Sequence, residues 1–129
     1  MALAIIFDEE YLDHETGDHP ESPTRLSHAV KALKKAGIWQ RAVGVKPRRA
    51  TPDDVALVHH PAYIRKVAEF ARNGGGHVTP DTVISPRSYE VALLAVGGAM
   101  GAVDAVFSGV APALCLLRPP GHHAEAGSG

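Results

Sequence analysis

The sequence predicts an α/β domain with a parallel sheet flanked by helices. Two apolar runs, "LAIIF" at 3–7 and "PALCLL" at 112–117, have the length and composition of buried strands, and "VGV" at 43–45 predicts a further short one. Helical patterns lie between them, and strands that alternate with helices are typical of parallel sheets. The polar stretch at 77–85 is predicted to be a loop. Because ligands of such sheets bind beyond the carboxyl ends of the strands, the loop "RPPGHH" at 118–123 is the predicted site.

The first helix is predicted at 22–37 from its end signals and its apolar face. Ser22 suits the N-cap, Pro23 suits the first helical position, and Gly37 suits the end. The predicted apolar face consists of Leu26, Val30, Leu33 and Ala36.

Three more helices are predicted along the chain. One begins near 50 and runs to 59 with Thr51 as its cap, and a second occupies 61–72. The longest is predicted at 85–109, is apolar nearly all round and should therefore be buried. Ser85 is its predicted cap.

The composition favours one globular domain and excludes several classes of function. The chain has 129 residues, of which 45% are apolar and 21% charged, and its net charge is −1. The sequence has no basic patch of the kind that indicates a nucleic-acid binder. Gly97 and Gly101 form a GxxxG pattern, which predicts close helix packing in a core rather than a membrane segment.

The single cysteine and the N-terminal residues predict a cytoplasmic protein. Cys115 has no partner for an intramolecular disulfide, which fits a reducing compartment. Because it lies in the last apolar run, which is expected to be a central strand, it is predicted to be an inert core thiol. The N-terminus lacks the basic start and longer apolar region of a signal peptide.

Two adjacent histidines follow the last strand. Neighbouring residues in a strand point to opposite faces, so His122 and His123 are a poor metal-chelating pair by spacing. Pro119, Pro120 and Gly121 allow a rigid turn that aims both imidazoles into one pocket. One ring would then act as a general base and the other, charged, would stabilise an oxyanion. The alternative is a turn with two half-exposed polar histidines.

Four motifs of the chain belong together. The most specific is "LRPPGHHAE" at 117–125. The others are "HPESPTRL" at 19–26, "VHHPAYI" at 58–64 and "PDTVISPRSYEVALLAVGGAMGAV" at 80–103. In this order they resemble the histone deacetylase superfamily, in particular its bacterial deacetylases, acetylpolyamine amidohydrolases and acetoin-utilisation proteins. The resemblance implies an arginase-like α/β fold, one catalytic zinc and hydrolysis of an acetyl amide.

The resemblance also implies roles for individual residues. His122 and His123 are similar to the family's catalytic dyad and act as a pair that handles protons. Gly121 resembles the glycine that lines the acyl-lysine tunnel, Asp81 a loop aspartate that binds the substrate backbone, and Arg25 an arginine near an internal acetate channel. The bland alternatives are that Asp81 caps a turn and that Arg25 is a solvated residue of the first helical turn. His19 and Glu21 belong to the motif at the rim of the pocket.

The family's Asp-x-His metal ligands, its further aspartate and its catalytic tyrosine come later than Gly129. We therefore expect residues 1–129 to be the N-terminal portion of a single deacetylase-like domain, incomplete in this chain. Alone it should hold no zinc and be inactive. The expected substrate is an acetylated lysine or polyamine, without direct nucleic-acid or membrane partners. The alternative is a short non-catalytic remnant or interaction module on the same fold.

Overall fold

The computed structural model describes residues 2–129 and contains five strands and four helices within them. The strands are β1 (Ala4–Ile6), β2 (Val43–Val45), β3 (Gly76–Thr79), β4 (Thr82–Ile84) and β5 (Ala113–Cys115). The helices are α1 (Pro23–Lys35), α2 (Pro52–Val55), α3 (Pro61–Arg72) and α4 (Ser88–Phe107). Short 3₁₀ turns lie at Glu9–Asp13 and Trp39–Arg41.

The three predicted strands form one parallel sheet in the order β2-β1-β5. Ile6 is paired with Val45 on one side and with Cys115 on the other, so all three carboxyl ends lie at the same edge. Ile5 packs into one buried cluster, whereas Ala4 and Ile6 pack into another. The alternation of β1 side chains thus buries both faces of the central strand. The predicted α/β fold class is confirmed.

The expectation that the last strand is central and its thiol buried is wrong for the described residues. Within 2–129 only β1 pairs with β5, which makes β5 an outer strand. The Cys115 side chain is exposed. An apolar run indicates a strand but does not determine how many neighbours it acquires.

The helix α1 packs its predicted stripe against the sheet, with small differences from the prediction. Leu26 and Val30 are buried, but Ala36 lies outside the helix and is exposed. Ser22 holds the N-cap position without capping through its side chain, because its hydroxyl pairs with that of Thr24 at 2.7 Å. The neighbouring Pro23, in the first turn, is confirmed as the start signal.

The start signals of α2 and α3 are also confirmed. Thr51 and Asp54 form a capping box, in which each side chain accepts a hydrogen bond from the other residue's backbone N–H. However, α2 ends at Val55, short of the predicted 59. Pro61 begins α3, which buries Ile64 and Ala71.

The predicted loop at 77–85 is instead an antiparallel hairpin of β3 and β4. Both strands are short, with four residues in β3 (GHVT) and three in β4 (TVI), which is too few to show the apolar alternation that indicates a strand. Gly75 has a φ of +72° and lies so close to the carbonyl of Ile84 that a side chain at this position would overlap it.

The helix α4 crosses the sheet but is less buried than predicted. It begins at Ser88 rather than 85, Arg87 takes the N-cap position, and Ser85 lies before the helix. Val91 and Leu94 are buried, while Phe107 is 88% exposed and Val103 55% exposed. By length and composition alone α4 also satisfies the criterion for a membrane span, which core helices satisfy too. Its contacts with β1 and β5 are those of a core helix.

Candidate functional site

The histidine pair lies on the loop that leaves β5 at the carboxyl edge of the sheet, where the parallel arrangement predicts a site. The ring centroids of His122 and His123 are 4.2 Å apart, with the ring planes tilted by 54°. Gly121 has a φ of +68°, which confirms that the turn requires a glycine-like backbone. The loop thus brings the two imidazoles together, and both rings are exposed in this chain.

A fully buried arginine lies directly before this loop. Arg118 is 0% exposed. Its Nε and Nη2 donate to the two carboxylate oxygens of Glu21, each at 2.7 Å, in a bidentate pair. Its Nη1 donates to the carbonyls of His14 at 2.7 Å and Tyr11 at 3.1 Å. The arginine therefore ties the end of β5 to the segment that follows β1.

Arg25 joins the same cluster from the first turn of α1. Its Nε donates to Glu21 Oε1 at 3.3 Å, and its Nη2 donates to the carbonyl of Leu117 at 3.0 Å. The Arg118 and Arg25 guanidinium groups keep the pKa of the Glu21 carboxyl below its ordinary value, although burial opposes them. Arg25 thus contacts Glu21 and Leu117, while its side chain stays 46% exposed, as the alternative of a solvated residue also predicts. That it also contacts substrate stays a prediction.

Asp81 occupies the turn of the β3–β4 hairpin, and its side chain is 81% exposed. Its Oδ1 lies 2.9 Å from Nε2 of His19. The other ring nitrogen of His19, Nδ1, accepts a hydrogen bond from the Glu21 N–H at 2.9 Å. The His19 proton therefore sits on Nε2 and is donated to Asp81. This contact links the rim position Asp81 to the Glu21 cluster, and its predicted role in substrate binding stays a prediction.

His14 forms a second buried network beside Arg118. Its Nδ1 lies 2.6 Å from the hydroxyl of Ser88, which also accepts the N–H of Ser85 at 2.7 Å. Its Nε2 lies 4.0 Å from Glu21 Oε2. Burial, followed by the Arg118 charge, lowers the pKa of His14 from 6.5 to about 4, although Glu21 opposes the shift. His14 is therefore neutral at pH 7.

We expect His14 to make the protein less stable at mildly acidic pH. Between about pH 6.5 and 4 the unfolded chain binds a proton at this residue that the folded chain does not. The free energy of unfolding should therefore fall by about 2 kcal/mol between pH 7.5 and 5. Urea unfolding at both pH values measures this loss.

The variant His14→Gln should remove most of that pH dependence. His28→Gln, at an exposed position of α1, is the matched control and should retain it. An unchanged pH dependence in His14→Gln would contradict the assignment. Glu21 does not affect this comparison between pH 7.5 and 5. Its pKa is lowered in the folded state, so its contribution to the free energy of unfolding is lost only as the pH falls below the unfolded value near 4.5.

The chain beyond the dyad is held at the junction of α2 and α3. The backbone N–H of His60 donates to the carbonyl of Ala126 at 2.7 Å, and the hydroxyl of Tyr63 donates to the carbonyl of Gly129 at 3.1 Å. Contacts on both sides thus define the path of the loop, while the two imidazoles lie between them.

Metal ligands do not converge within residues 2–129, where no group of three or more His, Cys, Asp or Glu side chains is close enough to hold an ion. A catalytic zinc site needs three protein ligands and an open position. The described residues therefore do not fit the zinc that the family resemblance implies.

Sequence reasoning placed Glu21 only at the rim and missed the roles of Arg118 and His14. A signal existed for Arg118, because a charged residue at the end of an apolar strand must find a partner if it is buried. The identity of that partner depends on a contact between residues 97 positions apart. The residues around His14 in the sequence gave no comparable signal that this side chain would be buried.

The sequence of this chain is similar to a protein family and to individual deacetylases. The family described as "Histone deacetylase domain" matches residues 19–129. A "Probable deacetylase" of Archaeoglobus fulgidus is 40% identical over 129 residues, covering 97% of this chain and 36% of that protein. The human "Polyamine deacetylase HDAC10" is 35% identical over 137 residues, covering 97% of this chain and 20% of that protein.

The fold is likewise shared with a solved structure. The crystal structure of the HDA15 HD domain superposes with a TM-score of 0.93 at 30% identity, covering 99% of this chain and 38% of that chain. The chain therefore spans less than half the length of each of these proteins. The sequence match and the shared fold establish that this chain belongs to the histone deacetylase family.

Proposed function

We propose that residues 1–129 form the N-terminal portion of a deacetylase domain and supply the proton-transfer pair for hydrolysis of an acetyl amide. The observation that carries the proposal is the contact between the His122 and His123 rings, 4.2 Å apart at the carboxyl edge of the sheet. Family membership supports hydrolysis as the reaction class.

In the proposed reaction, water adds to the acetyl carbonyl carbon, the bond from that carbon to nitrogen breaks, and acetate and a free amine leave. A neutral imidazole of the pair accepts the proton of the attacking water. The pair then delivers a proton to the leaving nitrogen, which would otherwise depart as an unstable anion. Because the two rings lie in contact, the steps are assigned to the pair rather than to either histidine.

The zinc ion in this proposal is inferred only from the resemblance to the family. Its ligands would come from parts of a longer domain, such as the relatives have, because residues 2–129 offer no ligand set. The proposed substrates are acetyl-lysine and acetylpolyamines, the latter in line with the name of the human relative. We place the protein in the cytoplasm on the basis of its single cysteine.

The test is hydrolysis by the intact protein purified from its native source. We expect acetate release from an acetyl-lysine peptide or from acetylspermidine, loss of that activity on dialysis against a chelator, and recovery on adding zinc. The same peptide with unmodified lysine, and spermidine without the acetyl group, serve as blanks. A native protein with a mass near 13.6 kDa that hydrolyses neither substrate would instead support the non-catalytic alternative.

A further inference from the structure

Glu21 is the common partner of the contacts at the start of the dyad loop, which is the loop at 118–123 that carries His122 and His123. Its carboxylate is bound by both Arg118 and Arg25. Its backbone is fixed as well, because its N–H donates to His19 and its carbonyl accepts the hydroxyl of Thr16 at 2.6 Å. The Glu21 side chain is only 18% exposed, so water competes weakly for these bonds.

Both arginines also determine where the loop begins. Arg25 donates to the carbonyl of Leu117, and Arg118 is itself the next residue, held at its guanidinium by Glu21 and by two carbonyls of the 11–14 segment. The Arg118 charge is fully buried, and Glu21 is the carboxylate that pairs with it. Without that carboxylate the buried charge would be uncompensated, and the end of β5 would have to rearrange.

We propose that Glu21 is a positioning residue for the histidine pair. Through Arg118 and Arg25 it fixes the direction in which the chain leaves β5, and thereby the orientation of His122 and His123. Glu21 exchanges no proton with substrate in this proposal. The inference rests on the proposed proton-transfer function of the pair, and displacement of reacting groups by about 1 Å can lower a rate about a hundredfold.

The kinetic test compares Glu21→Gln with Glu10→Gln in the intact native protein. Glu10 is a matched control because it also binds two arginines, Arg49 and Arg87, whose ion pairs join Glu10, Asp13 and Glu90 rather than the dyad loop. For an acetyl-lysine peptide, Glu21→Gln should lower kcat about 10- to 100-fold with KM changed less than about twofold. Glu10→Gln should keep the wild-type kcat even where its melting temperature falls as far.

A third variant separates geometry from charge. Arg118→Lys keeps the positive charge but loses the planar fork that binds both oxygens of Glu21. It should show the same selective loss of kcat as Glu21→Gln. Wild-type kcat in either Glu21→Gln or Arg118→Lys, or an equal loss in Glu10→Gln, would overturn the proposal.

A spectroscopic measurement keeps the proposal independent of activity. In protein labelled with ¹⁵N-histidine, the imidazole signals of His122 and His123 should each show one conformer in the wild type and in Glu10→Gln. In Glu21→Gln they should split or shift. If the wild type hydrolyses no acetyl amide, the proposed function fails while these spectra still decide the positioning role. Unchanged dyad signals in Glu21→Gln would overturn that role.

Discussion

Replacing either His122 or His123 with asparagine in the intact native protein should lower kcat for acetyl-amide hydrolysis by about 10²- to 10⁴-fold. Asparagine retains hydrogen-bonding groups but does not accept a proton near neutral pH. The turn should survive the change, because it depends on Gly121 and on the buried Arg118 rather than on the exposed imidazoles. Steady-state rates and a thermal melt of each variant provide the measurement.

The double variant tests whether the histidines act as a unit. If they do, it should lose about as much activity as the more impaired single variant, because residues that act together are not additive. His28→Asn, at an exposed position on α1, is the control and should keep the wild-type rate. Retention of more than about a tenth of the wild-type kcat in either single variant would contradict the proposed proton transfer.

The variant Gly97→Ala should destabilise the protein by about 3 kcal/mol or more. A methyl group at this position would overlap the carbonyl of Arg48 and lie only 2.9 Å from the backbone nitrogen of Ala50. These are backbone atoms, and the segment is tied to α4 by the hydrogen bond from the Ala50 N–H to the carbonyl of Leu93 at 2.9 Å. Neither side has a flexible group that can move away.

Gly101→Ala is the matched control, because it makes the same change one turn further along α4. The nearest atom to its added methyl group would be Cγ1 of Val45 at 3.7 Å, which is an ordinary contact. Since alanine favours a helix by about 1 kcal/mol over glycine, this variant should be neutral or slightly more stable. Urea titrations give the free energy of unfolding of both variants. Equal values would show that the contact of Gly97 with the Arg48 carbonyl does not determine the stability.

Gly97 and Gly101 show which part of the helix packing the GxxxG spacing could predict. GxxxG predicts that α4 packs closely against a neighbour, and Gly97 does so. The motif gave no means of telling that Gly101 lies in ordinary contact. That difference depends on the path of the 48–50 segment, which no spacing within α4 encodes.

Local signals were sufficient for most of the main elements. Apolar runs predicted β1, β2 and β5, and the prolines at 23, 52 and 61 marked helix starts because their fixed φ suits the first turn. The β3–β4 hairpin escaped prediction because its strands have only four and three residues, too few to show the alternation that indicates a strand.

By itself the sequence determined the α/β class, the carboxyl-edge loop and the adjacent histidines, because strand length, proline and glycine act within a few residues. The tertiary structure decided the rest. It brought Glu21 to Arg118 and buried His14 beside them. These features depend on which distant residues meet and on the solvation that each charge loses there, and neither quantity is local to a stretch of sequence.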